Sequence, residues 1–274
     1  MENQRKSVAL ITGGSSGIGL ELAKLFVADG HDVILAADDR AKLDEAAQLL
    51  KGAGNAARVE VLEADLARPE GAEKLYKAVQ GLGLQVDVLV NNAGVGVYGD
   101  FARETSLEAE VEMIQLNAVS VVQLTKLFVK DMVGRGSGKI LFTASLASLA
   151  ATPFLTVYAA TKAFVYSFAE GIREELKETG VTVTALLPGA TDTEFFERAG
   201  AQNTKTAQGN IADPAVVAKA GYEALNKGDD HVVAPWKNKV VAVLTKLVPD
   251  QMAAKNARVE EVEDKKKTPV AQHR

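Results

Sequence analysis

The sequence predicts an α/β, doubly wound fold: a seven-stranded, mostly parallel sheet with helices on both faces. Three observations carry this expectation. Short β-branched runs alternate with helical patterns along most of the chain, as in repeated βαβ units. Several runs are apolar on consecutive positions, as strands covered by helices on both faces must be. A glycine-rich turn, Gly13-Gly14-Ser15-Ser16-Gly17-Ile18-Gly19, joins the first strand pattern to the first helix pattern.

The elements follow in order. Val8–Thr12 reads as a strand and Gly19–Ala28 as a helix; Asp32–Ala36 and Lys42–Lys51 repeat the pair, then Arg58–Leu62 and Glu73–Gln80. Val86–Val90 is the fourth strand, followed by a long helical pattern over Ser106–Met132 with apolar residues recurring at three and four. Lys139–Thr143, the helix Val157–Glu178 and the strand Val181–Leu187 come next. Asp213-Pro214 supplies an N-cap and a proline at the first helical position, and Asp230–Val233 closes the series. Residues 1–234 are therefore expected to form one domain, with each crossover right-handed. Thr191–Ala212 breaks the rhythm: it is long, polar and irregular but holds Phe195-Phe196, which fits a lid. Residues 235–255 read as a helical extension, with Trp236, Val240, Val243, Leu244 and Leu247 on one face, and 256–274 as a disordered tail.

Composition removes whole classes of chemistry. With no Cys, thiolate nucleophiles and Cys-based metal sites are excluded, and three scattered His (His31, His231, His273) argue against a His-based cluster, so no metal is expected. A net charge of −5 without a Lys/Arg-dense stretch gives no footprint for nucleic acid. Ile140 to Thr161 runs 22 residues without a charge, but its six Ser/Thr, Tyr158 and central Pro153 fit a buried strand, a loop and a helix start better than a membrane span. With no targeting segment in the reading, a cytoplasmic chain without a transmembrane segment is expected.

Two constellations carry chemistry. Glycines in a strand-to-helix turn let backbone approach a diphosphate, and the helix starting there aims free N–H groups at it. Such a ligand lies beyond the carboxyl ends of the strands, at the switch point of the sheet. Tyr158 and Lys162, four apart on a helix, share a face. An ammonium near a phenol favours the phenolate, so Lys162 is expected to lower the Tyr158 pKa from about 10. Ser145 lies just past the fifth strand, where a hydroxyl can meet a substrate or simply form a turn with Ser148. Asn117 interrupts the apolar helix Met113-Ile114-Gln115-Leu116-Asn117-Ala118-Val119, either as a functional amide or as a helix-bending one.

In register, these pieces resemble a single-domain short-chain dehydrogenase/reductase with a Rossmann-type fold. The matching motifs run over about residues 7–234: Thr12-Gly-x-x-x-Gly-x-Gly19, Asp65-Leu66, Asn91-Asn92-Ala93-Gly94, Asn117, Ser145, Tyr158-x-x-x-Lys162 and Pro188-Gly189. The resemblance implies a nicotinamide-dependent oxidoreductase interconverting a ketone or aldehyde and an alcohol. It implies a catalytic tetrad of Asn117, Ser145, Tyr158 and Lys162, with Tyr158 as general acid/base. It also implies a cofactor held by Gly13, Ser15, Ser16, Gly17, Ile18 and Gly19, by Ala37, Asp38 and Arg40, by Asp65 and Leu66 at the adenine, by Asn91, Ala93 and Gly94, and by Pro188, Gly189, Thr191 and Thr193 on the nicotinamide side.

Members of this family that prefer NADP usually carry Arg or Lys just before the second fingerprint glycine or just after the second strand. Here those positions hold Ser16 and Asp38, with Ala37 where NAD-preferring members commonly carry Asp, so NAD is favoured over NADP. Val95, Val97, Tyr98, Leu146, Phe154, Phe195 and Phe196 flank the expected substrate pocket, and the cations on the irregular segment are Arg198 and Lys205. An apolar or aromatic carbonyl or alcohol is the expected partner. By the same resemblance the chain self-associates, as a homotetramer or homodimer, through the long helices. Two alternatives stay open: a nucleotide-sugar epimerase or dehydratase, which the glycine spacing and compact length disfavour, and a non-catalytic dinucleotide sensor or scaffold, which an intact tetrad disfavours.

Overall fold

The computed structural model describes residues 5–52 and 57–235. Its strands are β1 Val8–Thr12, β2 Asp32–Ala37, β3 Val59–Glu63, β4 Val88–Asn91, β5 Gly138–Thr143, β6 Val181–Pro188 and β7 His231–Ala234. The helices are α1 Gly17–Ala28, α2 Arg40–Lys51, α3 Gly71–Gly81, α4 Leu107–Ile114, α5 Ser120–Gly134, α6 Thr156–Glu175, α7 Phe195–Arg198, α8 Lys205–Gln208 and α9 Pro214–Lys227. All seven strands pair in parallel in the order β3-β2-β1-β4-β5-β6-β7. The expected doubly wound sheet is present, and its order reverses between β1 and β4.

Each strand feeds two cores. In β1, Val8 and Leu10 face α3, α5 and α6, while Ala9 and Ile11 face α1, α2 and α9. Successive side chains of a strand point to opposite faces, so a strand covered on both sides must be apolar throughout. Helix starts follow local capping: Asp39, Ser106 and Asp213 accept from Lys42 N, Ala109 N and Ala215 N. The uncharged stretch Ile140–Thr161 becomes most of β5, a short 3₁₀ turn (Leu146–Leu149) and the start of α6. Among the described residues no helix is long and apolar enough to cross a membrane.

Three expectations change. The helix read as continuous over Ser106–Met132 is interrupted at Gln115–Val119 by a wider π-type turn, which separates α4 from α5. Apolar spacing hardly changes across one such turn, so periodicity runs through it. The second long helix ends at Glu175 rather than Glu178. The irregular segment holds two one-turn helices, α7 and α8, and is closed at its base by Asp192 N to Ala212 O and Ala212 N to Ala190 O, both 2.8 Å. The extension at 235–255 (past Pro235) and the tail at 256–274 lie outside the described residues.

Candidate active site

A cleft of about 500 Å³ opens at the carboxyl ends of the strands, beside the β1/β4 switch point. At one end lies the glycine-rich turn. Its shape is set by contact: a Cβ on Gly19 would sit 2.1 Å from Gly13 O, so only glycine lets α1 start so close to the turn. The N-cap residue Ser16 is extended and makes no side-chain cap bond, which leaves the first turn of α1 open to a ligand. These features fit a diphosphate cradle.

Asn92 locks this turn to the rest of the sheet. Its Nδ2 donates to Thr12 O at 3.1 Å and Gly13 O at 3.3 Å, and its Oδ1 accepts from Thr143 Oγ1 at 3.1 Å. Thr12 Oγ1 accepts from Asn92 N and Ala93 N, both at 3.0 Å. The carbonyl of Thr143 in turn accepts from Lys162 Nζ at 2.9 Å. A continuous string of hydrogen bonds thus runs from the glycine turn to Lys162.

Ser145, Tyr158 and Lys162 line the same cleft. Ser145 caps the 3₁₀ turn, accepting from Ala147 N at 3.1 Å, so its turn-forming and cleft-facing readings are both met. Lys162 Nζ stands 5.9 Å from the centre of the Tyr158 ring. Burial lowers the Lys162 pKa to about 8 and pushes the Tyr158 phenol up to about 12, with Ser145 pulling the phenol the other way. The direction for Tyr158 is opposite to the one expected: loss of solvation is the largest cause, and the group that opposes it is Ser145, while the Lys162 ammonium is engaged with the Thr143 carbonyl.

Asn117 sits in the π-type turn, 1% exposed. Its Nδ2 donates to Val95 O at 2.8 Å and Thr161 Oγ1 at 3.1 Å, and its Oδ1 accepts from Val95 N at 3.0 Å. Gly94 lies between the groups: a Cβ there would be 3.0 Å from Lys162 Nζ and 3.2 Å from Asn117 Oδ1. The amide therefore stands behind the cleft wall, within one small residue of Lys162.

The sequence profile of the family described as short chain dehydrogenase matches residues 7–204. The chain belongs to that family. Dehydrogenase/reductase SDR family member 7B of Mus musculus is 32% identical over 234 residues, covering 81% of this chain and 71% of its own. A short-chain dehydrogenase from Sphingobium yanoikuyae, solved in complex with NADPH, superimposes with a TM-score of 0.79 at 27% identity, covering 98% of this chain and 100% of that one. A bulky-bulky ketone specific alcohol dehydrogenase from Comamonas testosteroni gives 0.74 at 25% identity, covering 91% and 98%. This short-chain dehydrogenase is accordingly an NAD(P)-dependent oxidoreductase.

Most of the expected residues bound the cleft: Gly13, Ser15, Ser16, Gly17, Ile18, Ala37, Asp38, Asp65, Leu66, Ala93, Gly94, Pro188, Gly189, Thr191 and Thr193 of those expected at a cofactor, and Val95, Leu146, Phe195 and Phe196 of those expected at a substrate. Five others do not. Gly19 acts through its close approach to Gly13. Arg40 turns along α2 to Asp44 at 3.0 Å. Asn91, at the end of β4, points away from the cleft and donates to Thr125 Oγ1 of α5 at 3.2 Å. Phe154, in a left-handed backbone conformation (φ 67°), packs on Tyr98 with ring centres 6.0 Å apart. Val97 lies beyond the cleft, because the chain there passes under α7, with Tyr98 N on Ala199 O at 3.0 Å.

Asn92, Thr143 and Glu194 are the residues sequence reasoning missed. Glu194 lines the cleft just before α7 and takes Lys42 Nζ on both carboxylate oxygens at 2.7 Å, which holds its pKa below the ordinary carboxylate range. Away from the cleft, Glu170, Asp230 and His231 bring ligand-type atoms within 4.8 Å of one another, a grouping that scattered His did not foretell. Arg173 already binds Glu170 there at 3.0 Å.

Proposed function

We propose that this chain transfers hydride between a nicotinamide dinucleotide and the carbon of an apolar or aromatic ketone, aldehyde or secondary alcohol, with Tyr158 as the general acid/base. The observation that supports this best is one cleft lined both by the glycine-rich turn and by Ser145, Tyr158 and Lys162. The bound dinucleotide supplies or accepts the hydride. Tyr158 Oη keeps its proton at neutral pH, as its raised pKa requires, and passes it to the substrate oxygen during reduction. Ser145 Oγ donates to the same oxygen and stabilises the charge developing on it. Lys162, charged below about pH 8, favours the phenolate left behind, and Asn117 holds the backbone at Val95 beside it.

NAD is the preferred nucleotide in this reading. Asp38 lines the cleft after β2 and repels a 2′-phosphate, while Arg40 is engaged by Asp44. The apolar wall formed by Val95, Leu146, Phe195 and Phe196 favours an apolar substrate. Exposed Leu107 (80%) and Val111 (54%) on α4 and Phe164 (46%) on α6 favour self-association through the long helices. The test is a panel of ketones and alcohols with NADH and NADPH, monitored by nicotinamide absorbance, for wild type and Tyr158→Phe. Turnover by wild type and a loss of at least about 10²-fold in the variant, with cofactor still bound, is the expected result. A variant within tenfold of wild type refutes the role of Tyr158.

A further inference from the structure

The position of the Phe195 ring is fixed by contacts that the proton-transfer chemistry does not require. A Cβ on Gly96 would lie 2.7 Å from Phe195 Cζ and 3.2 Å from Ala199 Cβ, so α7 rests on bare backbone. The Phe195 ring centre is 4.9 Å from that of Tyr158, tilted by 50°, and Phe196 packs edge-on behind it at 5.5 Å. At the start of α7, Glu194 is gripped by Lys42 of α2 at 2.7 Å and by Arg198 one turn on at 2.9 Å. Tyr98 N holds the other end through Ala199 O at 3.0 Å. A flat apolar ring thus lies against Tyr158, where a substrate's substituent must go.

We propose that Phe195, seated on Gly96, is a displaceable plug that determines substrate specificity: a carbonyl compound bearing a flat apolar ring takes the place of the Phe195 ring on Tyr158, and the Lys42–Glu194 ion pair governs how readily α7 yields. This rests on the oxidoreductase reading above. Small carbonyl compounds fit beside the plug, whereas ring-bearing ones must displace it. An aromatic contact of this kind is worth up to about 1.5 kcal/mol, or about tenfold in affinity.

Two measurements on the full-length chain test the plug. The first is nitration of Tyr158 by tetranitromethane, mapped by mass spectrometry against Tyr76, which lies outside the cleft. Phe195→Ala should raise Tyr158 nitration about tenfold, and Gly96→Ala, which drives the ring off its seat, should act in the same direction. The second is the ratio of kcat/KM for an aryl ketone to that for acetone. Phe195→Ala should raise this ratio about tenfold, mainly through KM. Lys42→Met should raise it less, and Lys42→Arg, which keeps the ion pair, should hold it near the wild-type value. If Gly96→Ala fails to fold, the double variant with Phe195→Ala removes the clash and should match Phe195→Ala alone. Unchanged Tyr158 nitration in the Phe195 variants overturns the plug, and increased nitration with an unmoved ratio overturns its role in specificity. If no variant turns over any carbonyl, the oxidoreductase reading falls, and the nitration contrast alone supports or overturns the plug.

Discussion

Replacing Asn92 by Ala should uncouple the glycine turn from the sheet. Three hydrogen bonds disappear: those to Thr12 O and Gly13 O, and the one from Thr143 Oγ1. At about 1 kcal/mol each, with some penalty for the carbonyls left behind, the loss is about 2–4 kcal/mol. Thr12 Oγ1 keeps its bonds from the backbone N–H groups of residues 92 and 93, so the chain path survives. Urea unfolding followed by circular dichroism reads this as a lower midpoint at unchanged slope, and about 2–4 °C in Tm accompanies each kcal/mol. Asn92→Asp sharpens the test. It keeps an acceptor for Thr143 but sets a carboxylate against two carbonyl oxygens, so it should be less stable than Ala. Dinucleotide affinity should fall in the same order, because Gly13 helps shape the cradle. An Asp variant as stable as Ala, or an Ala variant within about 0.5 kcal/mol of wild type, refutes the locking role.

Other outcomes follow from the same geometry. Lys162, lowered to about 8 by burial, loses its charge above that pH, so kcat/KM for reduction should fall as pH rises through about 8; a flat profile from pH 7 to 9 counts against its role. Asp38→Arg should shift the NADPH/NADH ratio of kcat/KM toward NADPH, and an unmoved ratio removes Asp38 as selector. His31 carries a buried, unpartnered Nδ1 and a pKa lowered from 6.5 by burial. The unfolded chain binds that proton first, so stability should drop as pH falls below about 6.5, and His31→Phe should flatten this slope. Identical slopes in the two proteins would exclude His31.

The sheet, the glycine turn and the Tyr158/Lys162 pair were legible because each rests on local pattern: short consecutive apolar and β-branched runs, a strand-to-helix glycine run, a spacing of four. What escaped depends on direction or on distant partners. Asn91 and Asn92 are neighbours with the same side chain, yet the first, closing β4, points to α5 and the second to the glycine turn. Lys42 and Glu194 are 152 residues apart, and neither has a local reason to face the other. Gly96 lacks a sequence signature of its own, since what it accommodates is a ring from α7. Asp38 and Asp39 likewise look alike, but Asp39 caps α2 while Asp38 borders the cleft.

The string Gly13–Asn92–Thr143–Lys162 joins groups at or just past the ends of three adjacent strands, β1, β4 and β5, to α6. The glycine turn and Lys162 are therefore mounted on one hydrogen-bonded rail, while Phe195 and Phe196 come from a separate segment closed at its base by Asp192 N to Ala212 O and Ala212 N to Ala190 O. Exchange of that segment between relatives becomes a modular operation. A graft spanning residues 191–212 should carry its substrate preference into a new host and leave the host's nucleotide preference in place, since Asp38 and the glycine turn lie outside the grafted segment.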